Sequence, residues 1–299
     1  MKQFQNGNNV GIALAILGAL LLTPDTLLMR ISELDGVTML VWRGGLSGIA
    51  YILIWACFTL RTERKMPIIW TSSFAIIVLS QALNAGFFSL AIAMAPVAVV
   101  LMAVATAPIF AVVLSRFILG EALSKFSIIV ALLVLLGLSI SVLGTGSAAP
   151  KLDGATLLGA GLGLGVACSL ALNFTIIRKD GSVPFVLAIG VGAFLAAGLG
   201  AFFVQGPFLP PLENLTAIAI TGIIILPVSF VTLSYAARFA PSSTVSLIML
   251  LETVLGPLWV WWGLGEAPTK NMLIGGTIVI LCLVGFLINQ GRPNTLINN

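Results

Sequence analysis

Glu252 lies well inside an apolar stretch, residues 244–264, of this 299-residue sequence. A helix rises about 1.5 Å per residue, so its carboxylate would lie near the middle of a helix formed by this stretch. An ionisable group inside a bilayer costs about 2.5–3.5 kcal/mol on insertion scales and is a functional candidate for that reason. Glu252 could bind an ammonium group of a ligand, exchange a proton, or hydrogen-bond neighbouring helices as a purely structural residue.

Asp25 and Arg43 form a second pair of candidates. Asp25 lies near the end of the first apolar run and Arg43 near the start of the next, so a helical hairpin would bring them together. Because a lone buried charge is costly, we expect an ion pair. Asp25 suits an amine or a proton, and Arg43 suits a carboxylate through its two-pronged donor geometry, so together they suit a zwitterion. Alternatively, both side chains simply reach water at a membrane interface.

Uncharged polar side chains within other apolar runs predict the lining of an internal site. Gln81 and Asn84 lie one helical turn apart, and Ser229 and Tyr235 share a face of a later run. Polar groups surrounded by lipid need partners, so they point into a helix bundle. Trp42 is a candidate for stacking against a ligand, although tryptophans also belt membrane interfaces. The predicted ligand-binding set is Asp25, Trp42, Arg43, Gln81, Asn84, Asn173, Ser229, Tyr235 and Glu252.

The composition indicates an integral membrane protein. Hydrophobic residues make up 59% of the chain and charged residues 8%, against roughly 25% charged in soluble proteins. A soluble domain, a nucleic-acid binder and a disordered chain are therefore disfavoured, and membrane lipid is the expected surrounding. The chain has no histidine and three widely separated cysteines. We accordingly expect no catalytic residues, no metal site, no disulfide framework and no cofactor.

Ten apolar runs are long enough to cross a bilayer as helices. They span residues 10–29, 37–60, 67–94, 97–117, 126–143, 155–177, 183–204, 215–237, 244–264 and 272–289. With ten spans, ten of the 14 Lys and Arg residues fall on the side of the two termini and four on the other side. The positive-inside rule then predicts cytoplasmic termini.

The sequence also repeats itself at an offset of 145 residues without a gap. Chance readily aligns Ala and Val in apolar segments, but not an Ala-Pro and a Leu-Gly-Glu at one offset. We therefore predict two repeats, residues 1–147 and 148–299, of five spans each. Because five is odd, the second repeat would be inverted in the membrane, as in alternating-access transporters. The matched residues are Ser89, Ala91, Ala95, Pro96, Val100, Leu119, Gly120 and Glu121, and Ser234, Ala236, Ala240, Pro241, Val245, Leu264, Gly265 and Glu266.

At these residues the chain resembles the EamA-type members of the drug/metabolite transporter superfamily. The stretches 89–96 and 235–241, each leading to a Leu-Gly-Glu at 119–121 and 264–266, look like its two EamA repeats. The resemblance implies an all-α membrane protein of ten helices in two inverted repeats, with a central cavity lined by helices 1–4 and 6–9. Bacterial members export amino acids and other small metabolites, and the chain most resembles exporters of the YddG type. Many members carry Trp-Gly late in the first helix, where this chain has Thr23-Pro24-Asp25, so pocket chemistry there is not transferred.

The expected function is a secondary transporter that exports small organic solutes, with amino acids favoured, from a bacterial cytoplasmic membrane. No phosphate-binding loop of the ATP type is found, so a gradient would supply the energy, with protons as the candidate coupling ion. The expected partners are a small-molecule substrate and lipid, and the oligomeric state is left open. The alternatives are efflux of hydrophobic cationic drugs with Glu252 as countercharge, and an intramembrane enzyme acting on lipids.

Overall fold

A computed structural model describes residues 2–61, 71–95, 97–121, 125–143, 154–205, 209–265 and 270–290. The regular elements of these ranges are all helices. In the first half they are α1 (Lys2–Leu22), α2 (Asp25–Ser32), α3 (Gly36–Arg61), α4 (Ser72–Met94), α5 (Val97–Val104), α6 (Ala107–Leu119) and α7 (Lys125–Leu143). In the second half they are α8 (Gly154–Lys179), α9 (Phe185–Ala201), α10 (Leu212–Ile220), a π-helical turn (Thr221–Ile225), α11 (Leu226–Phe239), α12 (Ser242–Met249), α13 (Leu251–Leu264) and α14 (Lys270–Gln290).

The apolar helices identify a multi-pass membrane protein. Seven described segments are long and apolar enough to cross a membrane, and they fall in seven of the ten predicted runs. Shorter apolar helices fall in the other three runs, at Lys125–Ile140, Phe185–Ala201 and Leu273–Asn289. The number of ten crossings stays a prediction. The seven segments are Asn8–Ser32, Gly36–Leu60, Ser72–Ile92, Val99–Leu119, Gly154–Lys179, Leu212–Phe239 and Ser242–Leu264.

Four of these segments are interrupted near their middle. Pro24 separates α1 from α2, and a turn at Thr106 separates α5 from α6. A single residue, Leu250, separates α12 from α13. The π-helical turn ends at Ile225, two residues before Pro227, which fits because proline offers no N–H to the helix ladder. Each of these four segments therefore contains one interruption of its regular α-helix.

The elements of the two halves recur at the offset of 145 residues. Helix α5 and helix α12 begin and end 145 residues apart, at 97–104 and 242–249. Gly120 and Gly265 end their helices in the left-handed conformation, with φ of 71° and 73°. Of the motif residues, Pro96 and Glu266 lie outside the described residues, as does the predicted boundary between residues 147 and 148.

Helices from the two halves interlock throughout the bundle. Helix α3 packs along α9 and α7 along α14, while α1 packs along α11 and α4 along α8. A buried core of small and branched residues forms where α1, α5, α8, α11 and α12 meet, including Ala15, Val100, Leu170, Leu233 and Val245. Small side chains let helices approach closely, which supplies packing where lipid weakens the hydrophobic effect.

Asp35 lies in the loop between α2 and α3, and its side chain caps the N-terminus of α3. Its carboxylate accepts hydrogen bonds from the backbone N–H groups of Val37 and Thr38, both at 3.0 Å. Partial burial raises the pKa of the Asp35 carboxyl, but these bonds and one from the Thr38 side chain outweigh it and lower the pKa below its usual value. The charged form thus caps the free N–H groups at the start of α3.

Two glycines of α9 face different surroundings. A Cβ atom added at Gly192 would lie 2.5 Å from the Val78 carbonyl oxygen and 2.8 Å from the Gln81 Cβ on α4. A Cβ atom at Gly198 would have nothing within 4 Å. The close approach of α9 and α4 therefore depends on the missing side chain at residue 192.

We expect Gly192→Ala to lower the free energy of unfolding by about 1–3 kcal/mol, because backbone and core atoms of α4 would have to shift. Gly198→Ala is the matched control and should leave stability unchanged or raise it by up to about 1 kcal/mol, since alanine favours helix. Thermal unfolding of the purified variants in detergent measures both. Equal stability of the two variants would contradict the close packing.

Candidate functional site

A cavity of about 80 Å³ lies between the two halves of the chain. At roughly 10–15 Å³ per water, this volume holds about five water molecules or a small solute. Its walls come from α1 to α5, α8, α9 and α11 to α13. Among the described residues, α7 and α14 contribute none to the wall. This distribution matches the expectation that the fifth and tenth spans lie outside the cavity.

Five of the nine predicted residues line this cavity. They come from four helices that are distant in sequence, α2, α3, α4 and α13. The described lining otherwise consists mainly of apolar side chains, with Ser47, Tyr51, Ser89 and Thr253 as further polar groups. A few polar groups in a largely apolar pocket are typical of small-molecule sites. The five predicted residues are Asp25, Arg43, Gln81, Asn84 and Glu252.

Asp25 and Arg43 form the predicted ion pair. The Arg43 Nη2 atom donates to Asp25 Oδ2, and the Asp25 side chain is 2% exposed. The other carboxylate oxygen of Asp25 and the Nε of Arg43 are buried without a partner among the described residues. The guanidinium also lies over the Phe88 ring, 5.7 Å from its centroid. The pair is therefore enclosed by protein and satisfied by one contact only.

Glu252 lies in the first turn of α13, directly after the break at Leu250. Its side chain is half-buried and lines the cavity. None of the described residues hydrogen-bonds its carboxylate, whereas the hydroxyl of neighbouring Thr253 bonds its own helix at the Leu250 carbonyl, 2.7 Å away. The carboxylate is thus directed into the cavity rather than engaged with a neighbouring helix.

An amide pair supports the opposite wall. Asn173 on α8 lies behind the cavity and donates through Nδ2 to Gln81 Oε1 at 3.0 Å. This bond fixes the orientation of the Gln81 side chain, and Gln81 lines the cavity. Asn84 lies one turn further along α4 and lines the cavity as well. The two amides therefore offer both donors and acceptors to a solute.

Three predicted residues lie away from the cavity wall. Ser229 is buried and donates to carbonyl groups of its own helix. Trp42 packs against an apolar cluster that contains Met39 and Ile218. Tyr235 is 43% exposed, and its ring packs edge-on to Phe185 with centroids 5.1 Å apart. Of the predicted set, these three and Asn173 have no surface in this cavity.

Tyr51 is a cavity residue that the sequence analysis missed. It is 2% exposed, and its hydroxyl donates to the Leu226 carbonyl oxygen at 2.8 Å. That carbonyl lies at the junction of the π-helical turn and α11. The signal was present in the sequence, because Arg43, Ser47 and Tyr51 follow each other at intervals of four and so share one face of α3.

The interruptions of the helices lie at the cavity. Asp25, Leu226 and Glu252 each line the cavity and lie within two residues of an interruption, as does Val104 before the break between α5 and α6. Irregular backbone inside a bilayer is tolerated where it is buried in protein or faces a polar cavity. The four breaks therefore lie beside residues of the cavity wall, while backbone groups such as the Leu226 carbonyl and the Leu250 N–H keep hydrogen-bond partners.

Comparisons with known proteins agree with this fold. Residues 9–143 match the EamA-like transporter family. The "Uncharacterized transporter YdfC" of Bacillus subtilis (strain 168) is 26% identical over 199 residues, which are 62% of this chain and 62% of that protein, so less than two thirds of its length is matched. A crystal structure of another protein shares the fold, with a TM-score of 0.76 and 16% identity over 94% of this chain and 99% of that one. The resemblance to the EamA-type superfamily is confirmed.

We expect Tyr51→Phe to lower the free energy of unfolding by about 1 kcal/mol, because the Leu226 carbonyl at the helix junction loses the buried tyrosine hydroxyl that donates to it at 2.8 Å. Tyr235→Phe is the matched control on the second tyrosine of the chain, and its exposed ring should tolerate the change. Thermal unfolding in detergent compares the two. An effect of equal size at both positions would argue against a role for the Tyr51 hydroxyl.

Proposed function

We propose that this chain, whose residues 9–143 form an EamA-like transporter domain, is a secondary transporter that exports small organic solutes, with amino acids favoured. The observation that carries the proposal is the cavity between the halves, whose wall contains Asp25, Arg43 and Glu252. Ionisable side chains in such a position mark solute or ion pathways in membrane proteins. The family is one of transporters, and solute transport requires no covalent chemistry.

We propose ten spans in two inverted repeats, working by alternating access. At the 145-residue offset, α9 corresponds to α3 and α14 to α7, and these corresponding helices pack together. The contact of α1 with α11 is likewise matched by that of α8 with α4. Such exchanged contacts support a two-fold axis between the halves. With five spans in each repeat, that axis would lie in the membrane plane. Rocking of the two repeats against each other would then expose the cavity to one side of the membrane or the other.

The proposed location is the cytoplasmic membrane of a bacterium, with both termini in the cytoplasm. The ends of α6, α8 and α11 that would face the cytoplasm carry Arg116, Arg178, Lys179 and Arg238. This distribution supports the positive-inside assignment. A transmembrane gradient would drive export, and the candidate coupling ion is the proton.

Efflux of hydrophobic cations is the second candidate function. It is favoured by Glu252, whose carboxylate has no hydrogen-bond partner among the described residues and would serve as the countercharge. The rings of Phe88 and Phe230 also line the cavity and could contact a cation through their faces. Flux of two chemically distinct cationic drugs without amino-acid flux would establish this function instead.

We expect Glu252→Gln to slow exchange of radiolabelled amino acids in proteoliposomes at least tenfold, because the cavity loses a charge that partners a substrate ammonium or a proton. The matched control is Glu213→Gln, an exposed position in the first turn of α10. Circular dichroism checks that both variants are folded. Unchanged flux in a folded Glu252→Gln variant would reduce this residue to a structural role.

The topology predicts opposite accessibility for two exposed positions. In a background without Cys57, Cys168 and Cys282, a cysteine introduced at Ser182, between α8 and α9, should be labelled only from the cytoplasm. A cysteine introduced at Glu213 should be labelled from outside the cell. Impermeant maleimide applied to intact cells and to inverted vesicles distinguishes the two. Labelling of both positions from one side would contradict the proposed number of crossings.

A further inference from the structure

The Asp25–Arg43 ion pair leaves one hydrogen-bonding atom of each side chain without a partner among the described residues. One contact joins Arg43 Nη2 to Asp25 Oδ2, while Asp25 Oδ1 and Arg43 Nε are buried without a partner among the described residues. A guanidinium and a carboxylate can form two parallel hydrogen bonds, and buried polar groups are normally satisfied. Both residues line the cavity, and their two unused atoms are buried next to it and need partners that the described protein does not provide.

We infer that a zwitterionic solute inserts between Asp25 and Arg43, its ammonium group on Asp25 and its carboxylate on Arg43. This inference rests on the proposed function and specifies its substrate class. In the ion pair, the Asp25 carboxylate takes the position on the guanidinium that the solute's carboxylate would take. Asp25 thus binds the ammonium group of the solute, and it also competes with the carboxylate of the solute for the Arg43 guanidinium.

Electrostatics explains why this arrangement selects zwitterions. The ion pair is neutral overall, and so is a zwitterion, so insertion adds no net charge to a buried site. A simple amine that took Asp25 would leave Arg43 without a countercharge, and a simple carboxylate that took Arg43 would strand Asp25. An unpaired buried charge is strongly unfavourable, so solutes with only one of the two groups are rejected.

The surroundings hold Arg43 in a position to exchange partners. Its guanidinium carbon lies 5.7 Å from the centroid of the Phe88 ring, which supports the group from one face. Gly44 next to it lets α3 pack closely on α9, since an added Cβ atom would lie 3.2 Å from the Ala193 carbonyl oxygen. Asp25 is the first residue of α2, after the break at Pro24, so its carboxylate can move with this short helix rather than with α1. The pair can therefore open without unfolding a long helix.

The inference is tested on the purified full-length protein by ligand-dependent thermal stabilisation. The probes are L-valine, isobutylamine, which lacks its carboxylate, and isovalerate, which lacks its ammonium group. Wild-type protein should bind valine at least tenfold more tightly than either analogue. Asp25→Asn should lose valine affinity at least tenfold and gain isovalerate affinity at least tenfold, because Arg43 is then free. Arg43→Gln should lose valine affinity and gain isobutylamine affinity to a similar extent.

The matched control is Glu121→Gln, which breaks the Arg178–Glu121 ion pair, 2.9 Å long and outside the cavity wall. Its order of preference for the three probes should equal that of wild type. Where a single variant fails to fold, the double variant Asp25→Asn/Arg43→Gln removes both charges and should lose valine affinity at least tenfold without gaining either analogue.

Four outcomes would overturn the inference. They are absence of valine binding to wild type, valine affinity retained in the folded variants, loss of valine without gain of any analogue in the single variants, and an altered preference in the control. Failure of the proposed function is seen separately in proteoliposomes. Valine binding with the predicted preferences but without valine flux would overturn the transport proposal and leave the binding site in place.

Discussion

The need to neutralise charge inside an apolar helix bundle governs this structure. Asp25 and Arg43 come from α2 and α3, and their ion pair joins the start of one short helix to the wall of a long one. A single unpaired member would be strongly unfavourable in such surroundings, so each residue requires the other. The proposed preference for zwitterions follows from the same constraint, because a zwitterion would leave the local charge balanced.

The helix interruptions supply the flexibility that this constraint requires. Each of the four interrupted segments contributes cavity-lining residues next to its break, as Asp25, Val104, Leu226 and Glu252 illustrate. An unbroken transmembrane helix satisfies all of its backbone groups internally and offers only side chains to a solute. At a break, short helices on either side can move relative to each other, while bonds such as that from Tyr51 to Leu226 satisfy the freed backbone groups.

The sequence placed residues at the cavity where charge or spacing restricted the possibilities, and their role in binding stays a prediction. Ionisable groups inside apolar runs are rare, so Asp25, Arg43 and Glu252 were candidates without a structure, and all three line the cavity. The series Arg43, Ser47 and Tyr51, at intervals of four, shows that a helical stripe could have added Tyr51. Tyr235 and Ser229 lie away from this cavity, because a polar residue in an apolar run can equally bond its own helix or face outward. Such residues are distinguished only by the rotation of their helix.

By itself, the sequence determined the class of the protein and the period of its elements. Scarce charge and long apolar runs require a membrane-spanning bundle, and the offset of 145 residues already relates helix ends such as Gly120 and Gly265. Tertiary structure decided which side chains share the cavity. That choice depends on the rotation of each helix about its axis and on the distance between neighbouring helices, which small residues such as Gly192 reduce. Packing between segments that are distant in the chain sets both the rotation and the distance.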